Sequence, residues 1–201
     1  MRIYLIDTEF LSWKKKQSNL SINQRQSDQP AEIIQLFLKE IFINFKNEKL
    51  LFVKPKNFKK YPYRISRLTG IKKKYLNKYG EDFTITYKKL INFLPPNALI
   101  ISNGDEYKVI NHNIKINRIK KKNKKIKFLE FYHLIKNNEL FKNYKKINHI
   151  SISDIKNVLR INIKNHNAKN DVKILIECIK KLNIKIFDLK KNKKFFNFKK
   201  L

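Results

Sequence analysis

The 201-residue sequence predicts an α/β fold, with a mixed sheet whose opening strands are antiparallel and whose faces are flanked by helices. Three observations lead to this prediction. The chain opens on a short apolar run, two further strand-like runs follow it, and the remainder alternates short apolar runs with segments of helical periodicity. Strands that come first and then alternate with helices are typical of a sheet covered by helices.

The first three predicted strands lie in the first quarter of the chain. Residues 2–6 are almost wholly apolar, which is typical of a strand buried on both faces. Residues 14–30 are polar without periodicity and predict a loop. The β-rich runs 33–45 and 49–53 are separated by Lys46, Asn47 and Glu48, so we expect an antiparallel hairpin.

The middle of the chain alternates helix and strand patterns. From Lys72, aromatic and aliphatic residues recur at spacings of three and four as far as Pro95 and Pro96, which predicts one helix. Residues 98–102 form a short apolar run and predict a buried strand. A further helix is expected to begin near Asp105.

The last third begins with a basic low-complexity segment, 115–127, which predicts an exposed loop. Residues 126–132 predict a strand, and Ser153 is a suitable N-cap for the next helix. The final helix has the clearest apolar face, made of Val172, Leu175, Ile176, Ile179 and Leu182. Residues 1–185 are therefore expected to form one domain, followed by a Lys- and Phe-rich tail at 186–201.

The chain is strongly basic, because 47 Lys and Arg stand against 16 Asp and Glu, for a net charge of +31. Such a charge favours polyanionic partners, since each phosphate that is neutralised releases counterions. The abundance of Lys, Asn, Ile, Phe and Tyr with only 3 Gly and 5 Pro is also what an AT-rich genome produces. With 42% hydrophobic residues the chain is expected to fold, so disorder throughout is excluded.

Cysteine content and hydropathy indicate the cellular location and exclude some kinds of site. Cys178 is the only cysteine, which excludes an intramolecular disulfide and a multi-cysteine zinc site. No signal peptide is apparent, and no stretch approaches the length of a membrane span. These features predict a soluble cytoplasmic protein.

Acidic residues occur at three places where strands or helices begin or end. Asp7 and Glu9 follow the first apolar run, and side chains two apart on a strand point to the same side. Paired carboxylates repel unless a cation lies between them, and oxygen ligands suit Mg²⁺ or Mn²⁺. Asp105 lies at a strand-to-helix junction and Asp171 in the first turn of the last helix, shortly after His166. Each also has a structural explanation, as a loop entry, a helix cap or a favourable charge at a helix N-terminus.

Taken together and in this order, these residues resemble the DEDD exonucleases of the His subtype, which have a ribonuclease H-like fold and are related to the proofreading subunit of bacterial DNA polymerase III. The D-x-E motif of that family is matched by Asp7-Thr8-Glu9, and the H-x-A-x-x-D motif by residues 166–171. Residues 32–35 and 68–71 also resemble the family. The resemblance spans about 1–183.

The sequence departs from the family at two points. Leu36-Phe37-Leu38 replaces the usual glycine-containing turn of the second strand. The middle motif is loose, because Tyr107 occupies the position where many members have the acid. We assign the third acid to Asp105, with Glu106 as the alternative.

The resemblance implies a 3′-5′ exonuclease that releases nucleoside 5′-monophosphates from single-stranded DNA or RNA. His166 is then the general base, and two divalent cations, Mg²⁺ or Mn²⁺, are held by Asp7, Glu9, Asp105 and Asp171. The residues expected to contact substrate are Thr8, Phe10, Leu68 and Thr69. Two alternatives stay open: a catalytically inactive exonuclease fold that serves as a basic nucleic-acid-binding module, and a basic structural protein of a ribonucleoprotein. A polymerase or ribonucleoprotein partner is also compatible with the sequence.

Overall fold

The computed structural model describes residues 1–11, 31–41, 47–56, 61–122, 124–147, 149–185 and 197–200. Its strands are β1 (Ile3–Leu11), β2 (Glu32–Ile41), β3 (Glu48–Phe52), β4 (Leu99–Ser102), β5 (Lys125–Glu130) and β6 (Asn197–Lys200). They form one sheet in the order β3-β2-β1-β4-β5-β6. The pairs β1–β4 and β4–β5 are parallel, and the pairs β1–β2, β2–β3 and β5–β6 are antiparallel. The predicted mixed sheet with antiparallel opening strands is confirmed.

The helices are α1 (Tyr63–Thr69), α2 (Lys73–Tyr79), α3 (Phe83–Phe93), α4 (Glu106–Ile116), α5 (Tyr132–Ile135), α6 (Ile152–Val158) and α7 (Ala168–Lys181), with a 3-10 helix at Glu139–Ile147. Ile3 and Leu5 of β1 pack against α6 and α7 in one apolar cluster. Tyr4 and Ile6 pack against α3 and α4 in a second cluster, because successive strand residues point to opposite faces. Helices therefore cover both faces of β1, as its uninterrupted apolar run predicts.

The region that was predicted as one helix from Lys72 to Pro95 is two helices, and that prediction is wrong. The chain leaves α2 at Gly80, and Glu81 then hydrogen-bonds with the end of β3 through its N–H to the Phe52 carbonyl, 2.9 Å. A β carbon at Gly80 would lie only 2.5 Å from the Leu76 carbonyl oxygen and 2.9 Å from Lys54 N. The close backbone approach therefore requires glycine, and Asp82 caps a new helix, α3, by accepting from Thr84 N.

One helix boundary differs from the prediction, and one further helix was not predicted. Ser153 does not cap α6, because Ser151 does so in a capping box with Asp154. Helix α1, which the sequence analysis did not predict, ends at Gly70, whose φ of 74° is a left-handed conformation that glycine adopts at little cost.

Several of the remaining predictions concern residues that the structure describes only in part. The predicted loop at 14–30 lies outside the described residues, as does the predicted extension of the second strand beyond Ile41. Within the predicted tail, the backbone of 197–200 pairs antiparallel with β5. No helix among the described ranges combines the length and apolar character needed to cross a membrane, and the cytoplasmic location stays a prediction.

Candidate active site

The site begins where β1 outlasts its neighbour β4. The last parallel pair joins Ile6 to Ser102, after which the chain turns away through Asn103 and Gly104. Beyond Ile6, β1 continues with β2 alone as its described partner. Asp7 and Glu9 therefore follow the point at which the β4 side of β1 opens, at the carboxyl ends of the parallel strands.

Helix α7 brings a third carboxylate to this position. Its N-cap residue, Asn167, accepts a hydrogen bond from Lys169 N at 3.2 Å, which begins the helix one turn before Asp171. Oxygen atoms of Asp7, Glu9 and Asp171 all lie within 4.8 Å of one another. Two motifs separated by more than 150 residues in the sequence thus meet at one point.

Helix α4 contributes Glu106, which is buried on the inward face that it shares with Val109 and Ile110. A β carbon at Gly104 would lie 3.2 Å from Glu106 Oε1, so the glycine leaves room for this carboxylate. The second oxygen, Oε2, is buried and has no hydrogen-bond partner among the described residues. A buried, unpartnered carboxylate oxygen is costly, unless a cation or water binds it.

Asp105 is not brought into this group. It occupies the N-cap position of α4 without a side-chain capping hydrogen bond, and its Oδ2 lies 2.9 Å from Lys108 Nζ in an exposed ion pair. The spacing of the buried residues of α4 favours the alternative acid. Glu106 lies three, four and seven residues before Val109, Ile110 and Asn113, so all four side chains fall on one face of the helix. Asp105 lies one residue before that face begins.

Burial and mutual repulsion change the acidity of the cluster. Burial raises the pKa of Asp7 well above its ordinary value, and the neighbouring negative charges, of which Glu106 contributes most, raise it further. Burial also raises the pKa of Glu9 to about 8, with contributions from the charges of Asp171 and Glu106. The carboxylates of β1 are therefore repelled by acidic residues on both α4 and α7.

The two helical acids show the same trend. Burial raises the pKa of Glu106 to about 7, although hydrogen bonds from its own backbone N–H and from Ser102 lower it. Burial raises the pKa of Asp171 to about 7, although backbone N–H groups of His166 and Asn167 lower it by donating hydrogen bonds. Each acid is thus held in an environment that disfavours its negative charge.

This donor set fits a divalent cation. All of its ligand atoms are carboxylate oxygens, which hard cations such as Mg²⁺ and Mn²⁺ prefer. A cation would offset the burial that raises all four pKa values, would relieve the repulsion that further raises those of Asp7 and Glu9, and would satisfy the free oxygen of Glu106. Asp7, Glu9 and Asp171 are close enough to share one ion.

His166 lies at the entrance to the cluster. Its φ of 64° is in the left-handed region, and its backbone N–H donates to Asp171 Oδ1 at 3.1 Å. The imidazole is exposed, with Nε2 lying 3.4 Å from Asn165 Nδ2. Asn165 in turn donates to Ser153 Oγ at 2.7 Å, which ties the loop to α6. The backbone of His166 is therefore fixed on Asp171 while its ring faces solvent.

The four residues expected to contact substrate occupy different surroundings. Thr8 lies between Asp7 and Glu9 in the sequence. Its side chain is buried, and its hydroxyl has no hydrogen-bond partner in the described part of the chain. Phe10 packs against the apolar cluster under α3 and α4. Leu68 is half-buried, and the Thr69 hydroxyl donates to the Ile65 carbonyl at 2.8 Å, so Thr69 is engaged in ending α1.

Two residues near the cluster were not assigned to the site from the sequence. Tyr61 is close enough to Glu9 that the carboxylate charge, after burial, contributes to raising the pKa of the phenol to about 12. Gln35, paired with Glu9 across the strands, accepts a hydrogen bond from Ala168 N at 2.9 Å. Gln35 belongs to the segment 32–35 that resembles the exonuclease family, which was a sequence signal for a role near the site. Its hydrogen bond to α7 could not be predicted, because the two residues are 133 positions apart in the sequence.

Comparison with known proteins identifies the fold. No family model matches the chain, and no curated protein matches its sequence. Among solved structures, the nuclease domain of 3′hExo, a DEDDh family member bound to rAMP, has a TM-score of 0.69 at 16% identity and covers 100% of this chain and 97% of its own. Cell-death related nuclease 4 has a TM-score of 0.66 at 13% identity, covering 90% of this chain.

A third similar structure is the zinc-bound form of E. coli Exonuclease I with single-stranded DNA, with a TM-score of 0.63 at 12% identity over 94% of this chain. The chain spans 63% of the length of cell-death related nuclease 4 and 42% of that of Exonuclease I. At sequence identities of 12–16%, these structural similarities establish the fold of the chain and not its activity. The chain has the ribonuclease H-like fold of the DEDD-type 3′-exonucleases.

Proposed function

We propose that this chain is a divalent-metal-dependent 3′-5′ exonuclease that acts on single-stranded DNA or RNA. The observation that carries the proposal is the convergence of Asp7, Glu9 and Asp171, whose oxygens lie within 4.8 Å of one another. A buried cluster of carboxylates with raised pKa values costs stability without a cation, and functional sites are where such clusters occur.

The ligand set in this proposal contains Glu106 in place of Asp105. The charge of Glu106 acts on both Asp7 and Glu9, and its Oε2 has no hydrogen-bond partner in the described structure. Asp105 is engaged by Lys108. Divalent cations bound here supply positive charge that stabilises the oxygens of an in-line phosphoryl displacement. The carboxylates hold the ions, and the fold holds the carboxylates.

His166 is proposed as the general base. An imidazole can accept a proton near neutral pH, and this ring is exposed on a loop whose backbone is bound to Asp171. In the proposed reaction a water oxygen attacks the terminal phosphodiester, His166 takes one of the water's protons, the P–O3′ bond breaks, and the leaving 3′ oxygen takes a proton from solvent. The products are a nucleoside 5′-monophosphate and a strand one nucleotide shorter that ends in a 3′-hydroxyl.

The net charge of +31 supports a polyanionic substrate, because the lysines offset the repulsion between the carboxylates and phosphates. The structure of the 3′hExo nuclease domain contains the mononucleotide rAMP, and that of Exonuclease I contains single-stranded DNA. The second of these favours a single-stranded substrate for this chain also. A polymerase or ribonucleoprotein partner stays part of the proposal, to be tested by co-purification.

The test is incubation of the purified protein with 3′- and 5′-labelled single-stranded DNA and RNA, in Mg²⁺ or Mn²⁺ against EDTA. We expect 5′-labelled strands to shorten stepwise and 3′-labelled strands to release a labelled mononucleotide at once. His166→Ala is expected to lower the rate by about 100-fold or more, because general-base catalysis contributes on that scale. Strand binding without any metal-dependent product would support the inactive binding module instead.

A further inference from the structure

Three aromatic rings form a continuous surface beside the candidate active site, which we call the aromatic ladder: Phe52 of β3 and Tyr75 and Tyr79 of α2. The centroids of Phe52 and Tyr75 are 4.8 Å apart, and those of Tyr75 and Tyr79 are also 4.8 Å apart. Tyr75 is 40% exposed and Tyr79 54% exposed. Contiguous exposed aromatic side chains are uncommon on a protein surface and indicate a binding function.

The ladder starts close to the carboxylates. Glu9 of β1 pairs with Gln35 of β2, and Gln35 pairs with Phe52 of β3, so these three residues lie in one row across the sheet. Directly paired residues point to the same face, and adjacent strands are about 4.8 Å apart, which places the Phe52 backbone about 10 Å from that of Glu9. Tyr75 and Tyr79 extend the row outward from the site.

Helix α2 presents the outer two rings together because they are four residues apart, which places them on one side of the helix. Leu76 is the one fully buried residue of α2 and anchors the helix against Ile34 and Ile71. Packing of the fold therefore accounts for Leu76. It leaves much of the two tyrosine rings in solvent.

The charge around the ladder selects the partner. Helix α2 has the sequence KKYLNKY, with three lysines, Lys73, Lys74 and Lys78, and no acidic residue. All three lysines are exposed, and Lys78 Nζ lies 5.0 Å from the centroid of the Tyr79 ring. Aromatic rings interleaved with cations are suited to single-stranded nucleic acid, because bases stack on the rings while lysines attract the phosphates.

We propose that the aromatic ladder binds bases of the substrate strand upstream of the 3′ end that occupies the carboxylate cluster. This inference rests on the proposed exonuclease function and adds to it a length-dependent substrate-binding surface. The terminal nucleotide is held at Asp7 and Glu9, and the preceding bases stack on Tyr75 and Tyr79. Strands long enough to reach α2 are therefore bound more tightly than a dinucleotide.

The test measures the affinity of the full chain for a labelled oligodeoxyadenylate of about ten nucleotides, in EDTA so that no cleavage occurs. The Tyr75→Ala/Tyr79→Ala double variant is expected to bind this strand about tenfold more weakly than wild type, because base stacking on aromatic rings is sequence-tolerant and substantial. The Tyr75→Phe/Tyr79→Phe variant keeps both rings and is expected to bind like wild type. A labelled dinucleotide is expected to show no difference between the three proteins.

Two controls separate stacking from general charge attraction. An abasic strand of equal length carries the phosphates without bases, so wild type and the double alanine variant should bind it equally. Tyr63→Ala removes a tyrosine that is 79% exposed but lies outside the ladder, and it should leave affinity for the oligodeoxyadenylate unchanged. Equal binding of the oligodeoxyadenylate by wild type and the double alanine variant, or an equal loss with Tyr63→Ala, would overturn the proposal.

A second readout uses the unaltered protein and so does not depend on how the variants fold. A strand with 5-iodouracil at internal positions is irradiated in complex with the protein, and crosslinked peptides are identified by mass spectrometry. We expect adducts on Tyr75 or Tyr79, and their absence alongside adducts elsewhere would overturn the ladder. Strand shortening in Mn²⁺ with unaltered binding by the double alanine variant would leave the exonuclease standing and remove the ladder. Weaker strand binding by the double alanine variant, with no cleavage by wild type in Mn²⁺, would support the ladder as a strand-binding surface and overturn the exonuclease.

Discussion

At the residue scale, two adjacent acids at the start of α4 have opposite surroundings. Glu106 is buried, with its pKa raised to about 7, whereas Asp105 is partly exposed and paired with Lys108. We expect Glu106→Gln to lower the cleavage rate by about 100-fold or more, because loss of a metal ligand removes several kcal/mol of charge stabilisation. Turnover of a 5′-labelled strand in Mn²⁺ measures this.

Asp105→Asn is the matched control for that prediction. It removes one charge at the neighbouring position and breaks an exposed ion pair, which contributes about 0–1 kcal/mol of stability. We expect it to retain most of the wild-type rate. If Asp105→Asn were inactive and Glu106→Gln active, the third acid would be Asp105, as the sequence motif first indicated.

At the element scale, the placement of α7 depends on Gln35 of β2. Its Oε1 accepts from Ala168 N at 2.9 Å, and both residues are almost completely buried. Gln35→Met keeps the volume but leaves the helix N–H unpaired, which costs about 1–3 kcal/mol. Because α7 carries Asp171, we also expect the rate to fall by about tenfold or more, as for other groups that orient metal ligands.

The comparison for Gln35 is Leu38→Ala on the same strand. Leu38 is fully buried in the apolar cluster with α3 and α4, on the sheet face opposite α7, so its truncation lowers stability without removing a contact to that helix. Thermal unfolding and strand cleavage are measured for both variants at a temperature where both are folded. Equal loss of rate in the two variants would show that general destabilisation, and not the position of α7, explains the effect of Gln35.

The elements also show what the sequence could and could not predict. The apolar run of β1, the β2–β3 hairpin and the buried face of α7 were predictable, because local periodicity reports which face is buried. The division between α2 and α3 was missed, although Gly80 and the N-cap Asp82 are local signals for it; the hydrogen bonds of Glu81 with Phe52 and Lys54, which hold the break, join distant segments. The D-x-E and H-x-A-x-x-D motifs located three acids of the cluster, but choosing between Asp105 and Glu106 required the position of α4 against β1.

At the scale of the whole molecule, a chain of net charge +31 concentrates buried carboxylates at one point. Their pKa values are raised in the folded state, to about 8 for Glu9 and about 7 for Asp171, against about 4 in the unfolded chain. Between those values the folded protein keeps protons that the unfolded chain has released. The free energy of unfolding is therefore expected to fall as the pH rises from about 5 to about 8 in EDTA.

Divalent ions should reverse this dependence, because they bind the ionised carboxylates of the folded chain and leave the unfolded chain nearly unaffected. We expect Mn²⁺ to raise the Tm more at pH 8 than at pH 5, as measured by thermal unfolding across a pH series. Glu9→Gln provides the control, since it removes the group with a pKa of about 8 and should flatten the EDTA profile near that pH. A wild-type Tm in EDTA that stays constant or rises between pH 5 and pH 8 would show that the carboxylates are not strained by mutual burial. The cluster would then need no cation to be stable, and the principal physical argument for metal binding at this site would be lost.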